Sequence, residues 1–282
     1  MNNIANTKTH LFTMKLHDIR AIAKVRLANT FLYNFAKHFY VSYKNIVDKK
    51  AFLKQYPDAQ YIEYSLKEII KQHENGGYFS QYGQDYFLWE NFLSPIENGH
   101  FVDIGANDPT INSNSYYLEK QGWTGIAIDP VSRFEKLWSK QRTTPFKCGA
   151  VSSTEADIEF VEILPKEGWE HALSGFKSCI RKEDSKIYDY IEYTVKAKPL
   201  DKYLSNNSHV DLVLIDVEGA ELEVLQGINF DDLKPIYVLI ENITHLGGNQ
   251  EIRDYMRKMQ YTCIARISAT DDLFEYTRPQ RS

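Results

Sequence analysis

Glycine is thin in this chain, 14 of 282 residues, and nowhere does it fall as GxGxxG. A dinucleotide fold needs that triplet for a tight turn, for approach of the pyrophosphate and for close helix packing, so its absence disfavours NAD or FAD. Cysteine is rarer still. Cys148, Cys179 and Cys263 are odd in number and widely spaced, which suggests neither a disulfide framework nor a CxxC zinc site and suits a reducing, cytosolic compartment. Long apolar runs are also missing. The polar start MNNIANTKTH lacks the apolar core of a signal peptide. The longest charge-free stretch near it, Leu27 to Ala36, is far short of the roughly 20 residues that cross a bilayer. Nor is there a basic surplus: a formal net charge of -5 argues against nucleic acid as the main partner.

What is present is enough apolar material, 43% with 13% aromatic, to build a packed core in one large domain or a domain with an appendage. The positive charge is concentrated at the start, where Lys8, Lys15, Arg20, Lys24, Arg26, Lys37, Lys44, Lys49, Lys50 and Lys54 face only Asp18 and Asp48 before residue 55. Apolar residues between Met14 and Tyr43 recur at three- and four-residue steps and predict one or two amphipathic helices. A second helix is expected from Ile62 to Glu74, stopped at Gly76 and Gly77. This basic helical region, residues 1–77, is expected to support a homo-oligomer, to cap the substrate end, or to touch an anionic membrane surface. The location expected is cytoplasmic, with peripheral contact at the inner membrane surface as the alternative.

After Gly77, strand and helix signals alternate, the pattern of a parallel sheet covered on both faces. Strands are expected at Phe101–Ile104, Thr124–Ile128, Phe146–Val151, Ile158–Glu162, Tyr193–Lys196, Leu212–Ile215 and Ile236–Ile240. Helices are expected at Gln84–Phe92, Ser113–Gln121, Ser132–Lys140 and Ala220–Gly227, with a short one from Pro199. The end, Tyr261 to Ile267 and Leu273 to Arg278, reads as an antiparallel hairpin. Pro165 to Asp184 has no clean period and reads as a loop or lid, the kind of long insertion that often carries function; its Trp169, Phe176, Lys177, Arg181 and Lys182 suit stacking on a sugar and pairing with a phosphate, or equally an ordinary solvated loop.

Two segments carry the functional signal. FVDIGANDP, Phe101 to Pro109, and DLVLIDVEGAE, Asp211 to Glu221, are apolar runs ending in acidic, glycine-bearing turns, and the carboxyl ends of parallel strands are where α/β sheets place ligands. Asp103 and Gly105 mark a tight turn able to approach a ligand. Asp129, closing the next strand before Pro130, suits a pair of ribose hydroxyls. Without a pyrophosphate cradle, S-adenosylmethionine fits such a turn better than a dinucleotide. The competing role for both acids is helix capping.

SQYGQD (Ser80 to Asp85), FVDIGANDP, SNSYYLEK (Ser113 to Lys120), GWTGIAIDP (Gly122 to Pro130) and DLVLIDVEGAELEVLQG (Asp211 to Gly227) resemble, in order and spacing, the signature series of the FkbM family of S-adenosylmethionine-dependent methyltransferases. The resemblance runs from about Ser80 to Tyr261. Many family members have glycine where Pro109 stands. It implies a class I methyltransferase, Rossmann-like fold: a mostly parallel seven-stranded sheet, helices on both faces, a C-terminal antiparallel hairpin, and a methyltransferase domain over residues 78–282. It also implies S-adenosylmethionine as cofactor, with Gln84, Asp103, Gly105, Ala106, Asn107, Ser113, Asn114, Asp129, Pro130, Ala150 and Asp216 as cofactor-binding candidates. The activity implied is O-methylation of a sugar or related hydroxyl, with a small-molecule or glycan acceptor, nucleotide-linked sugars included.

Methyl transfer to an alcohol is an in-line displacement whose nucleophile is scarcely ionised at neutral pH. Either a general base or a divalent cation meets that need. Asp216 closes one strand, and Glu241 with Asn242 closes the next apolar run, YVLIEN. The three resemble the acid and acid-Asn ligands that hold magnesium in catechol-type O-methyltransferases, and hard oxygen donors suit Mg2+; the alternative is that Asp216 contacts cofactor or substrate directly while Glu241 and Asn242 cap a turn. Glu218 is a further catalytic candidate beside Asp216, and His171 and His245 are the candidate bases. The alternatives are a Rossmann-type nucleotide-sugar oxidoreductase or epimerase, which the missing glycines disfavour, and an inactive cofactor-binding module.

Overall fold

A computed structural model describes residues 44–164, 170–180, 188–205, 209–243 and 247–277. The expected helices between Met14 and Tyr43 lie outside these residues. Twelve strands are described: β1 (Gln60–Ile62), β2 (His100–Ile104), β3 (Thr124–Asp129), β4 (Phe146–Cys148), β5 (Ala150–Val151), β6 (Ala156–Ile163), β7 (Gly175–Phe176), β8 (Tyr190–Lys198), β9 (Leu212–Ile215), β10 (Tyr237–Glu241), β11 (Tyr261–Ile267) and β12 (Asp271–Tyr276). The main sheet runs β4-β3-β2-β9-β10-β12-β11-β1. Neighbours from β4 to β10 are parallel, β12 is antiparallel to both β10 and β11, and β1 is parallel to β11.

The central strands are apolar throughout because both sheet faces are covered. Successive side chains alternate between faces, and the core divides accordingly. Val213 and Ile215 join Val102, Ile104, Val238 and Ile240 on one side, whereas Leu212 and Leu214 join Phe101, Leu239 and Leu273 on the other. Each parallel strand therefore delivers its last residue to the same edge of the sheet.

The architecture is mixed α/β, with differences from the expected seven-stranded sheet. The main sheet has eight strands, because Gln60–Ile62, whose last residue was expected to begin a helix, instead pairs with Ala265–Ile267. The helix there is shorter than expected, Leu66–Lys71. It starts at a capping box between Ser65 and Glu68 and passes through the wide turn Gln72–Gly76 to a left-handed Gly77. The single strand expected over Phe146 to Val151 breaks at Gly149, where a Cβ would lie 2.4 Å from the Tyr203 hydroxyl. Beyond the break, β5 joins a second, four-stranded sheet, β5-β8-β6-β7. Part of the segment expected to be a loop is ordered: Glu170–Leu173 forms a 3-10 turn, and β7 pairs with β6. Helices Phe230–Leu233 and Gln250–Lys258 went unread in the sequence. The terminal hairpin forms as expected.

Buried charge ties the N-terminal segment to this sheet. Arg266 donates to Asp48 at 2.7 and 3.1 Å and to Asp272 at 2.8 Å. Arg253 meets Asp272 at 2.8 Å, and the Tyr61 hydroxyl donates to Asp48 at 3.0 Å. Both arginines and both aspartates are buried, so each charge is matched where water cannot reach it. No described helix is long and apolar enough to cross a membrane.

Candidate functional site

A cleft opens along the carboxyl edge of the main sheet, lined at one end by Asp103, Gly105 and Asp129 and at the other by Asp216, Glu218, Glu241 and Asp271. The first end is built by the turn after β2. Gly105 is left-handed at φ 80°, and a Cβ there would stand 1.7 Å from the Asp216 carbonyl oxygen. Glycine is thus required by the packing of two strand-end turns against each other, a constraint beyond the ligand approach expected of it. Asn107 is left-handed as well, and its carbonyl accepts the Trp138 indole N–H at 2.8 Å. Asp129 closes β3 and takes the Asn107 and Val131 amides on its two oxygens at 3.0 and 2.8 Å. A carboxylate offers about four acceptor directions, so two backbone bonds leave capacity for a ligand. Burial pushes its carboxyl up to about 6. Asp103 is raised by burial too, opposed by the Ser115 hydroxyl and the Arg142 charge.

Arg142 organises the outer side of this loop. It donates to the Pro109 carbonyl at 2.6 Å and to Glu119 at 2.7 Å, and lies against the Tyr116 and Trp138 rings. Burial would raise the Glu119 carboxyl, but donors from Thr144, Thr143 and Arg142 hold it at about 2. Ser113 and Asn114 line the cleft here with Ala106, Asn107 and Pro130. The Asn114 side-chain oxygen is buried and accepts no hydrogen bond within the described residues.

At the other end the turn after β9 holds two left-handed residues, Glu218 at φ 55° and Gly219 at φ 110°. A non-glycine residue in that region is strained, and such strain gathers where a side chain must be aimed. Carboxylate oxygens of Asp216, Glu218 and Glu241 lie within 4.8 Å of one another. Asp216 opens onto the cleft yet sits deep within it. Burial first, then the charges of Glu218 and Asp271, raise its carboxyl well above the usual range. Glu241 is raised likewise, by burial and then by Asp216 and Glu218. Like charges packed at this distance cannot all ionise without a cation or shared protons.

A family model described as a methyltransferase FkbM domain matches residues 103–263. The chain belongs to the FkbM methyltransferase family. No curated protein and no solved structure matches the chain.

Not every residue expected in the site of this FkbM methyltransferase reaches it. Asn242, expected to be a metal ligand, points away from the cleft. Its amide donates to Asp272 at 2.7 Å and to the Asn249 carbonyl at 3.3 Å, and its oxygen accepts the Asn249 N–H at 2.5 Å. Both polar atoms are consumed in the buried charge network, and Glu218 stands where a third oxygen ligand was expected. Ala150 is packed in a core cluster, its carbonyl accepting the Tyr203 hydroxyl at 2.9 Å, and it does not line the cleft. Glu221 accepts the Gly219 N–H at 2.8 Å and begins the helix Glu221–Gln226, a capping role. His171 lies in the 3-10 turn Glu170–Leu173, beside the cleft-lining Ala172, and His245 lies outside the described residues. Gln84 lines the cleft but donates to Asp271 at 3.0 Å. Asp271 was missed by the sequence reading. It begins β12 directly opposite Glu241, and its carboxyl is raised by burial to about 6. The paired acids of DDLFEY were the available signal.

Proposed function

We infer that this chain is an S-adenosylmethionine-dependent O-methyltransferase acting on a hydroxyl of a sugar or glycan-related acceptor. The observation that carries the reading is the division of one continuous cleft into a cofactor end, Asp103, Gly105 and Asp129, and an acidic chemical end, Asp216, Glu218 and Glu241. The cofactor end suits adenosine and methionine. Asp129 keeps acceptor capacity for ribose hydroxyls, the Asn114 oxygen is a buried acceptor in want of a donor, and no triple-glycine cradle is present for a pyrophosphate.

At the chemical end, Asp216, Glu218 and Glu241 would hold a divalent cation through hard oxygen donors, and their mutual repulsion favours one. Bound there, the metal would acidify and orient the acceptor hydroxyl. The carboxylates themselves orient the acceptor by accepting hydrogen bonds from its hydroxyls, while the apolar walls at Leu214, Ile215 and Leu239 keep the reacting end dry. A histidine base, His171 or His245, is the alternative means of taking the proton. We place the methyltransferase domain at residues 78–282, with the region before it, 1–77, joined through β1 and Asp48.

Methyl transfer from S-adenosylmethionine to a panel of monosaccharides, glycosides and nucleotide sugars, read by mass spectrometry, tests the activity. One added methyl group on a sugar hydroxyl is the expected product; transfer to nitrogen or carbon, or to none of the panel, contradicts it. Exhaustive chelation and Glu241→Ala are each expected to lower the rate at least about tenfold, as loss of transition-state charge stabilisation does. Full activity after both removes the metal and leaves the histidine base.

A further inference from the structure

The two residues that tie the start of the cleft wall to its far end lie outside the matched family segment, residues 103–263: Gln84 and Asp271. Their geometry is determined by hydrogen bonding. The Tyr82 backbone N–H donates to the Gln84 side-chain oxygen at 2.8 Å. Only a carbonyl oxygen can accept it, so the amide nitrogen is the end turned to Asp271, where it donates at 3.0 Å. Both side chains are buried, 5% and 4% exposed, and both line the cleft. Gln84 begins the helix Gln84–Leu88, and the turn that leads into it is itself fixed. Asp85 accepts the Phe79 and Ser80 amides at 2.6 and 3.2 Å, and Ser80 bridges to Asn112 on the cofactor loop.

Sheet order places this pair relative to the cofactor. Along the carboxyl edge, Asp129 stands on β3, Asp103 on β2, Asp216 after β9, Glu241 on β10 and Asp271 on β12. Adjacent strands are about 4.8 Å apart, so Asp271 is three strand intervals, or ~14 Å, from Asp103. A cofactor with its ribose at Asp129 and its methionine over Gly105 occupies the β3 and β2 end. Asp271 faces Glu241 instead. The charge of the cleft narrows what can lie there. Its described walls carry Asp103, Asp129, Asp216, Glu218, Glu241 and Asp271, and no lysine, arginine or histidine among the described lining residues. With Asp103 and Asp129 at the cofactor end and Asp216, Glu218 and Glu241 holding the cation proposed above, Asp271 is the carboxylate left to face the acceptor; a phosphate or carboxylate lying against it would be repelled, whereas a polyol hydroxyl donates to it.

Resting on the methyltransferase reading above, we propose that Gln84 and Asp271 are an acceptor-positioning pair, not cofactor contacts, and that the acceptor they hold is a neutral, hydroxyl-rich group. Gln84 and the Thr270 hydroxyl both donate to one oxygen of Asp271 and hold its carboxylate in place, so that its other oxygen, beside Glu241, presents a fixed acceptor to a neighbouring hydroxyl. A nucleotide or phosphate attached to the acceptor would have to lie away from this wall.

The test compares wild type with Gln84→Ala, Gln84→Glu and Asp271→Asn, each checked for native near-ultraviolet circular dichroism, and with Asp129→Asn as a cofactor-end contrast. S-adenosylhomocysteine affinity is measured by calorimetry, and transfer kinetics with neutral methyl glycosides and sugar phosphates as probes. The Gln84 and Asp271 variants are expected to bind S-adenosylhomocysteine within about twofold of wild type, while Asp129→Asn loses affinity. They are expected to lose at least about tenfold in kcat/KM for a neutral glycoside without change in the KM of the methyl donor, a split that general loosening of the fold would not give. Gln84→Glu, which keeps the shape and loses the donor, should be as damaged as Gln84→Ala. A tenfold loss of S-adenosylhomocysteine affinity in the Gln84 or Asp271 variants overturns the proposal. So does wild-type preference for sugar phosphates, or turnover of no neutral glycoside. Failure of wild type to bind S-adenosylhomocysteine sinks the methyltransferase reading itself, and the pair's role with it.

Discussion

Gly105 and Asp129 are the residues on which the proposed cofactor end depends, and each makes a distinct demand. Gly105→Ala would drive a methyl group to 1.7 Å from the Asp216 carbonyl, a backbone atom that cannot step aside. The expected result is loss of about 4 kcal/mol of stability, or no folded protein; a variant with an unchanged urea midpoint would show that the two turns are not packed as described. Asp129→Asn keeps the shape and removes the charge. Hydrogen bonds to charged groups contribute about 1.5–3 kcal/mol, so S-adenosylhomocysteine affinity should fall about 10- to 100-fold. Because burial lifts the Asp129 carboxyl to about 6, wild-type affinity should decline as pH falls below about 6, as the protonated acid loses an acceptor; calorimetry across that range checks both points. Asp103, Gly105, Asp129, Asp216, Glu218 and Glu241 were legible in the sequence because each ends or follows an apolar run that could only be a buried strand. Asn242 was misread because neighbouring residues at a strand end diverge to opposite sides: Glu241 faces the cleft, and Asn242 the charge network. Asp271 escaped notice because it begins its strand, and only the antiparallel direction of β12 brings that beginning to the cleft edge.

At the level of elements, the runs Phe101–Ile104 and Leu212–Ile215 announced a parallel sheet, and the terminal hairpin was equally readable. The addition of β1 was not. Three residues of edge strand carry little periodicity of their own, and what holds them is long-range: the ladder to Ala265–Ile267 and, beside it, Asp48 with Arg266, separated by 218 positions. Asp48→Ala would leave the buried Arg266 short of a counter-charge, though Asp272 remains at 2.8 Å. The expected cost is about 3–5 kcal/mol, measured by urea unfolding; a change below about 1 kcal/mol would mean that the N-terminal segment adds nothing to the sheet's stability. The Gly149 break was hidden for a similar reason. Nothing within FKCGAV shows that Tyr203 fills the space where a side chain would go, or that the second half of the run belongs to another sheet.

For the molecule as a whole, the concentration of acids along one edge implies a pH dependence opposite to that of most carboxylates. Asp129 and Asp271 sit at about 6, against an ordinary 3.8, and burial moves Asp103, Asp216 and Glu241 the same way. Between about pH 4 and 6 the folded state binds more protons than the unfolded chain, so stability declines as pH rises through that window. Glu119, held at about 2, works in the opposite sense but only below its ordinary 4.5. Free of ligand and metal, the protein should therefore have a higher thermal midpoint at pH about 5.5 than at about 7.5; a flat or rising profile would show that the acids are better solvated than their burial implies. The binding and transfer expectations presuppose a cofactor end built for adenosine and methionine. Titration calorimetry with S-adenosylhomocysteine and with NAD decides that point in one experiment: saturable binding of S-adenosylhomocysteine with no detectable heat from NAD is the result expected, and preferential binding of NAD, or no binding of S-adenosylhomocysteine, would contradict it.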